Sequence, residues 1–106
     1  MFVNLTPHPI NVYGKRSLEE GPEGVIQPSG DVARLATIDL GGGGEIAYVE
    51  YGRIDGLPQP VAGVNYVVSL VVALAARGRS DLVAPWLEVR NETGTVVGCR
   101  MFQRVC

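Results

Sequence analysis

Glycine and proline divide this chain into short segments. Of its 106 residues, 14 are glycine and seven are proline, and glycine is thus about twice as frequent as its average of about 7%. Both residues favour tight turns and interrupt regular structure. The sequence therefore predicts short strands joined by many turns. With 46% hydrophobic residues, a chain of this length can bury one core, which indicates a single domain spanning residues 1–106.

The N-terminal third predicts two short strands around a rigid bend. Phe2–Leu5 and Ile10–Tyr13 are rich in β-branched and aromatic residues, and Thr6-Pro7-His8-Pro9 lies between them. Its prolines cannot donate to a strand ladder. The charged, glycine-rich segment Gly14–Gly24 has few apolar residues to bury and is predicted to be an exposed, mobile loop.

The middle of the chain predicts a hairpin and a central strand. Val32–Leu40 and Glu45–Ile54 show an alternating pattern, and the Gly41–Gly44 run between them is expected to be a flexible connection. Val64–Val68 is apolar and β-branched enough for a strand that is buried on both faces.

One helix is predicted, from Leu70 to Arg77. The Ser69 hydroxyl can cap its first turn, and Gly78 can end it in the left-handed conformation. Asp81–Pro85 is expected to be a short edge strand.

A hairpin is predicted at the end of the chain, pairing Trp86–Arg90 with Thr95–Arg104 across Asn91–Gly94. The fold class is therefore α+β, mainly β: a small antiparallel sheet or a partly open barrel, with one helix at about residues 70–77 and a C-terminal hairpin.

Composition argues against several partners and compartments. Nine basic and eleven acidic residues give a net charge of −2, too little positive charge for general nucleic-acid binding. The longest apolar stretch, Val64–Ala76, is shorter than the ~20 residues of a membrane span, so no membrane association is expected. Two cysteines and no apolar leader favour the cytosol.

Catalytic and metal-binding chemistry has little support in the sequence. His8 is the only histidine; it lacks a nearby partner for general base catalysis, and packing against the core is favoured over presentation to a ligand. One histidine with Cys99 and Cys106 gives no zinc-ligand spacing. Cys99 fits the packing of a strand, and Cys106 ends the chain. We expect no catalytic residue, no metal and no cofactor.

Two turns have the chemistry to bind an anion. Pro28-Ser29-Gly30 offers a hydroxyl and free amides, with Arg34 four residues further on. Ser69 begins the predicted helix, where exposed amides favour a phosphate. The structural alternatives stay open: the first segment is also typical of an ordinary turn, and the Arg77-Gly-Arg79-Ser-Asp81 segment is also typical of an ion pair at the helix exit.

The pattern from Asn4 to Ile10, Asn-Leu-Thr-Pro-His-Pro-Ile, resembles the opening of a family of small bacteriophage and prophage proteins. The resemblance continues through Pro28-Ser29-Gly30, Gly56-Leu57-Pro58 and Val97-Gly98-Cys99-Arg100 in the same order, so it covers nearly the whole chain. The glycine run Gly41–Gly44 departs from the family pattern, as does the charged Lys15–Glu23 insert. The family implies a phage origin and a place in the cytoplasm of the infected bacterium, without an assigned activity.

Phage origin favours an accessory, counter-defence role. The leading hypothesis is a homo-oligomer that binds and sequesters a small anionic, nucleotide-derived host signal. The alternatives are a protein that binds a host or virion protein through an apolar patch around Trp86 and Leu87, and a small enzyme that degrades such a signal with His8 as its base. The candidate ligand-binding residues are Asn4, Thr6, His8, Ser29, Arg34, Tyr66, Ser69, Arg77 and Arg100.

Overall fold

A computed structural model describes all residues of the chain, 1–106. It contains eight strands and one helix, in the following order along the chain: β1 (Phe2–Asn4), β2 (Ile10–Val12), β3 (Gly24–Ile26), β4 (Arg34–Gly43), β5 (Ile46–Asp55), β6 (Asn65–Val67), α1 (Leu70–Ala75), β7 (Leu82–Arg90) and β8 (Val96–Gln103). The chain is thus mostly β with one short helix, which confirms the predicted fold class.

Six of the strands form a sheet that nearly closes into a barrel. Their order is β1-β6-β7-β8-β2-β3, and a bridge between Asn4 and Pro28 brings the end of β1 against the chain just after β3. The pairs β1/β6, β6/β7 and β2/β8 are parallel, while β7/β8 and β2/β3 are antiparallel. Of the two predicted architectures, the structure therefore matches the partly open barrel, with mixed strand directions.

The central strand β6 is buried on both faces, as its sequence predicts. Tyr66 and Val68 belong to a core cluster beneath α1 that also contains Val72. Val67 points to the opposite face, where it packs in a second cluster with Cys99. Successive side chains of a strand alternate between faces, so one apolar run supplies both clusters.

The other two strands form a separate two-stranded ribbon, which we call the arm (residues 34–55). Leu35 and Ile54 pack at its base against the first core cluster, and beyond them the ribbon leaves the barrel. The radius of gyration is 15.8 Å, compared with about 13 Å for a compact chain of this length. The arm accounts for this extended shape.

The glycine run at the tip of the arm differs from its predicted role as a flexible connection. Gly41, Gly42 and Gly43 belong to β4, and only Gly44 and Glu45 form the turn between Gly43 and Ile46. Gly44 has a φ of +64°, as the first central residue of a two-residue hairpin turn requires. Pairing with β5 draws Gly42 and Gly43 into the strand, and Gly41 lies at the register shift just before them.

The helix is shorter than predicted and ends differently. It spans Leu70–Ala75, with the Ser69 side chain accepting a hydrogen bond from the Val72 amide as its N-cap. The C-cap is Ala76, and Gly78 is not among the glycines with positive φ. The prediction that Gly78 ends the helix is therefore wrong. No helix of this structure is long and apolar enough to cross a membrane.

The predicted edge strand Asp81–Pro85 is instead the first half of the longer strand β7, which lies inside the sheet. Leu82 and Val83 pair with β6, whereas the residues from Ala84 to Arg90 pair with β8. Pro85 thus has a neighbouring strand on one side only. On its other side no strand needs a hydrogen bond from the N–H group that proline lacks. The remainder of β7 and β8 form the predicted C-terminal hairpin.

Candidate functional site

A pocket of about 320 Å³ opens where three parts of the fold meet. These parts are the turn after β1, the base of the arm and the start of α1. Three of the predicted ligand-binding residues line it, namely Thr6, Arg34 and Ser69. They are far apart in sequence, and the fold brings them together around one space.

The turn that supplies Thr6 is organised by Asn4. The Asn4 side chain donates from Nδ2 to the carbonyl oxygens of His8, at 2.8 Å, and Ile26, at 3.0 Å. Its Oδ1 accepts from the Thr6 amide at 2.9 Å and lies 2.6 Å from the Thr6 hydroxyl oxygen. Asn4 is 1% exposed, and its side-chain amide has no hydrogen-bonding capacity left. Asn4 therefore shapes the turn and has nothing left to offer a ligand.

Arg34 places a free positive charge at the pocket. It is the first residue of β4 and pairs through its backbone with Asp55. The Asp55 carboxylate forms an ion pair with Arg53 at 2.7 Å, and the exposed Arg34 guanidinium makes neither a hydrogen bond nor an ion pair within the chain. Its donors are available to a ligand.

Two hydroxyl groups, from Thr6 and Ser69, line the pocket together with the arm residues. The Ser69 oxygen accepts from the Val72 amide at 3.4 Å, which leaves its own hydrogen free to donate. The Thr6 oxygen lies close to Asn4 Oδ1 and 3.1 Å from the His8 carbonyl oxygen, so its hydrogen is engaged while its lone pairs stay available. Leu5 and Val72, both buried, contribute apolar walls.

Tyr51 also lines the pocket, and the sequence did not mark it. It lies on β5 opposite Thr37, and 65% of its surface is exposed. In the sequence Tyr51 is one alternating residue of a hairpin strand, with no local motif around it. Only the tertiary structure, in which the base of the arm lies beside α1, places Tyr51 at the pocket.

Three other predicted residues lie away from this pocket. His8 is exposed, and its ring forms no hydrogen bond. The exposed Ser29 closes its own turn, with its hydroxyl 3.3 Å from the Asp31 amide. Tyr66 is 6% exposed, and its hydroxyl lies 3.5 Å from the Gln59 carbonyl oxygen. The structure therefore does not unite these three residues with Arg34.

Arg100 holds the loop that follows β2. Its guanidinium donates to the carbonyl oxygens of Gly14, at 3.2 Å, and Arg16, at 2.7 Å. Arg16 in turn donates to the carbonyl oxygens of Glu20 and Gly21. The loop is thus exposed, as predicted, and is fixed by arginine side chains.

At the exit of α1, the ion-pair interpretation is confirmed for Arg79 and Asp81. Their side chains form two hydrogen bonds of 2.8 and 2.7 Å, and Arg79 also donates to the Pro58 carbonyl oxygen. The hydrogen bonds from Arg79 hold the pKa of Asp81 below its ordinary value. Arg77 is exposed and has no partner in the chain.

Cys99 is buried, and the thiols and acidic residues form no metal-binding cluster. Cys99 is 1% exposed, and burial raises the pKa of its thiol, which makes it unreactive. No group of three histidine, cysteine, aspartate or glutamate residues could hold a metal ion.

Comparisons with protein-family models, with curated proteins and with solved structures found no match for this chain. The resemblance to a phage family therefore stays a prediction from the sequence.

Proposed function

We propose that this protein is a phage accessory protein that sequesters a small anionic, nucleotide-derived defence signal in the cytoplasm of the infected bacterium. The observation that carries the proposal is the unpaired Arg34 guanidinium beside Tyr51 and the hydroxyls of Thr6 and Ser69, around one pocket of about 320 Å³. The phage origin rests on the sequence resemblance.

The chemistry of these groups matches the two halves of a nucleotide. A guanidinium presents paired donors that match phosphate oxygens. An exposed tyrosine ring can stack on a base, while serine and threonine hydroxyls match ribose hydroxyls. The pocket volume lies at the small end of the ~300–1,000 Å³ range of ligand sites, which favours a single nucleotide unit within it.

Binding fits these residues better than turnover. At neutral pH arginine, tyrosine, serine and threonine hold and orient a ligand, whereas a general base needs a group that titrates near the working pH. The alternative of a degrading enzyme relies on His8, which is not among the residues that line the pocket. Replacing His8 by alanine distinguishes the two functions. A degrading enzyme would lose its turnover of the ligand, whereas a sequestering protein would bind the ligand as before.

The first test is native mass spectrometry of protein purified from phage-infected cells, followed by calorimetric titration with AMP, ADP-ribose and a cyclic dinucleotide. The proposal expects retained or added mass in whole-number stoichiometry. Arg34→Ala should weaken binding about 10- to 150-fold, the effect of losing a charged hydrogen bond worth about 1.5–3 kcal/mol. Tyr51→Ala should weaken it as well.

Lys15→Ala is the matched control, since it removes an exposed positive charge outside the pocket and should leave affinity unchanged. Equal loss in both variants would reflect general charge attraction and would contradict a site at Arg34. A protein that retains no ligand from infected cells and binds none of the probes would contradict sequestration.

A second candidate function, binding to a host or virion protein, is favoured by the backbone at Leu87. Its φ of +60° is the only positive value at a residue other than glycine, and a leucine in this conformation costs about 1–2 kcal/mol. Such strain clusters at functional sites. Leu87 is 47% exposed, beside Trp86 at 46%, and Met101 pairs across the sheet with Trp86.

The variant Leu87→Gly tests the backbone strain at Leu87 and the binding of a partner separately. Relief of strain should raise the free energy of unfolding by up to about 1 kcal/mol, while a partner that recognises the patch should be lost, as with Trp86→Ser. Affinity purification from infected cells with both variants would measure the loss. Retention of the same partner by both variants would contradict a binding role for this patch.

A further inference from the structure

The arm carries an apolar surface that nothing in the chain covers. Ile38 lies directly opposite Glu50 across the ribbon, and Leu40 and Tyr48 follow two residues away on the same side. Ile38, Leu40 and Tyr48 are 51%, 61% and 62% exposed. We call these four residues, Ile38, Leu40, Tyr48 and Glu50, the arm face. Its pattern is an apolar strip with one acidic group.

The outer side of α1 has the complementary pattern. Leu70 and Leu74 are one helical turn apart and are 44% and 40% exposed, and the exposed Arg77 lies in the turn that follows the end of the helix at Ala75. Val72 and Ala73 turn inward and are buried. We call Leu70, Leu74 and Arg77 the helix face. It is an apolar strip that ends in one basic group.

The two charges lack partners within their own chain. Neither the Glu50 carboxylate nor the Arg77 guanidinium takes part in a hydrogen bond or an ion pair. The distal arm, residues 37–50, contains three acidic residues, Asp39, Glu45 and Glu50, and no basic one. An arm pairing with another arm would bring like charges together, whereas the helix face offers a cation.

The base of the arm lies beside α1 of its own chain, and the rest of the arm extends beyond it. Its base is fixed where Leu35 and Ile54 pack into the core. From that point β4 runs outward for eight residues to Gly43, about 26 Å at the rise of a strand. A paired ribbon is extended along its length, so the distal part points away from the body. The arm face is therefore placed to contact a different molecule.

We propose that the occupant of the helix face is the arm of a second copy of this chain. Two copies that exchange arms form a closed twofold dimer, in which each arm face packs on the partner's helix face and Glu50 pairs with the partner's Arg77. Each copy contributes the four residues of its arm face and the three of its helix face to two equivalent contacts. The closed contact would also bury apolar surface that soluble monomers rarely expose.

A charge exchange tests this contact directly. We would measure the dissociation constant of the wild-type dimer by sedimentation velocity and compare Glu50→Arg, Arg77→Glu and the double variant. Each single reversal places like charges together and should weaken the dimer at least about tenfold. The double variant should recover most of the wild-type affinity, because the pair is restored with its signs exchanged.

Glu92→Arg provides the control, since it reverses an exposed, unpaired acidic residue in the β7–β8 turn and should leave the dimer unchanged. Circular dichroism would verify that every variant is folded. A wild-type protein that stays monomeric at high micromolar concentration would overturn the proposal. A dimer that is insensitive to Arg77→Glu, or a double variant as weak as the singles, would overturn it too. The inference does not depend on the ligand at Arg34.

Discussion

The side-chain nitrogen of Asn4 donates a hydrogen bond to the main-chain carbonyl oxygen of Ile26 at 3.0 Å, joining the end of β1 to the end of β3. The backbone strengthens this junction, because the Ser29 amide donates to the Asn4 carbonyl oxygen at 3.0 Å. The two bonds close the gap between the first and last strands of the sheet. The Asn-Leu-Thr-Pro-His-Pro segment thus both closes the barrel and shapes the pocket.

Replacing Asn4 by alanine should destabilise the fold by at least about 2 kcal/mol, because the Ile26 carbonyl oxygen loses the donor, and the Thr6 amide the acceptor, that the buried Asn4 side chain provides. Urea denaturation would measure the change in the free energy of unfolding. Asn11→Ala is a suitable comparison, since its side chain makes a single hydrogen bond, to the Val97 carbonyl oxygen, and should cost less. Equal losses would contradict a special role for Asn4.

The Arg79–Asp81 pair should make stability depend on pH on the acidic side. Asp81 has a pKa below its ordinary value of 3.8 in the folded chain because Arg79 donates to it. Its stabilising contribution is therefore complete above the unfolded-state pKa and is lost as pH falls through the lower folded-state pKa. The wild type should lose stability from about pH 5 downward, and Asp81→Asn should lose less over the same range.

At neutral pH, Asp81→Asn should cost about 1–2 kcal/mol. This ion pair is neither fully exposed nor fully buried, since the side chains of Arg79 and Asp81 are 24% and 12% exposed. Thermal unfolding of both proteins from neutral to acidic pH would give the cost at neutral pH and its dependence on pH. Parallel stability curves for the two proteins would show that Asp81 is not the titrating group.

Removing Arg100 should loosen the loop after β2 without affecting ligand binding. Its guanidinium donates to two loop carbonyl oxygens, so we expect Arg100→Ala to lower the free energy of unfolding by about 1–2 kcal/mol. Hydrogen exchange should accelerate at residues 14–21. A loss of ligand affinity comparable to that of Arg34→Ala would instead return Arg100 to the binding site.

The two cysteines should differ in their reaction with a thiol reagent. Cys106 is exposed, whereas Cys99 is buried and its thiol has a raised pKa because of burial. The native protein should therefore react at one thiol per chain, and in denaturant at two. Cys106→Ser should abolish the rapid reaction in the native state. Rapid reaction of that variant would mean that the second core cluster opens readily.

The sequence by itself determined roughly where most elements lie along the chain. Alternating and β-branched runs define β1, β2, β5 and β6, because burial selects these patterns locally. The serine before Leu70 predicted the helix start, since its hydroxyl meets the first free amides of the helix. The hairpin around Asn91–Gly94 was equally predictable from its turn residues.

Only the tertiary structure decided how these elements assemble. Nothing local to Thr6, Arg34, Tyr51 or Ser69 places them around one pocket, because that proximity follows from the arm base packing beside α1. From the sequence, Asn4 is a polar side chain that could bind a ligand. In the fold it is buried and joins the end of β1 to the end of β3. Contacts between residues distant in the chain cannot be deduced from local propensity, since loop closure and packing are settled jointly by the whole chain.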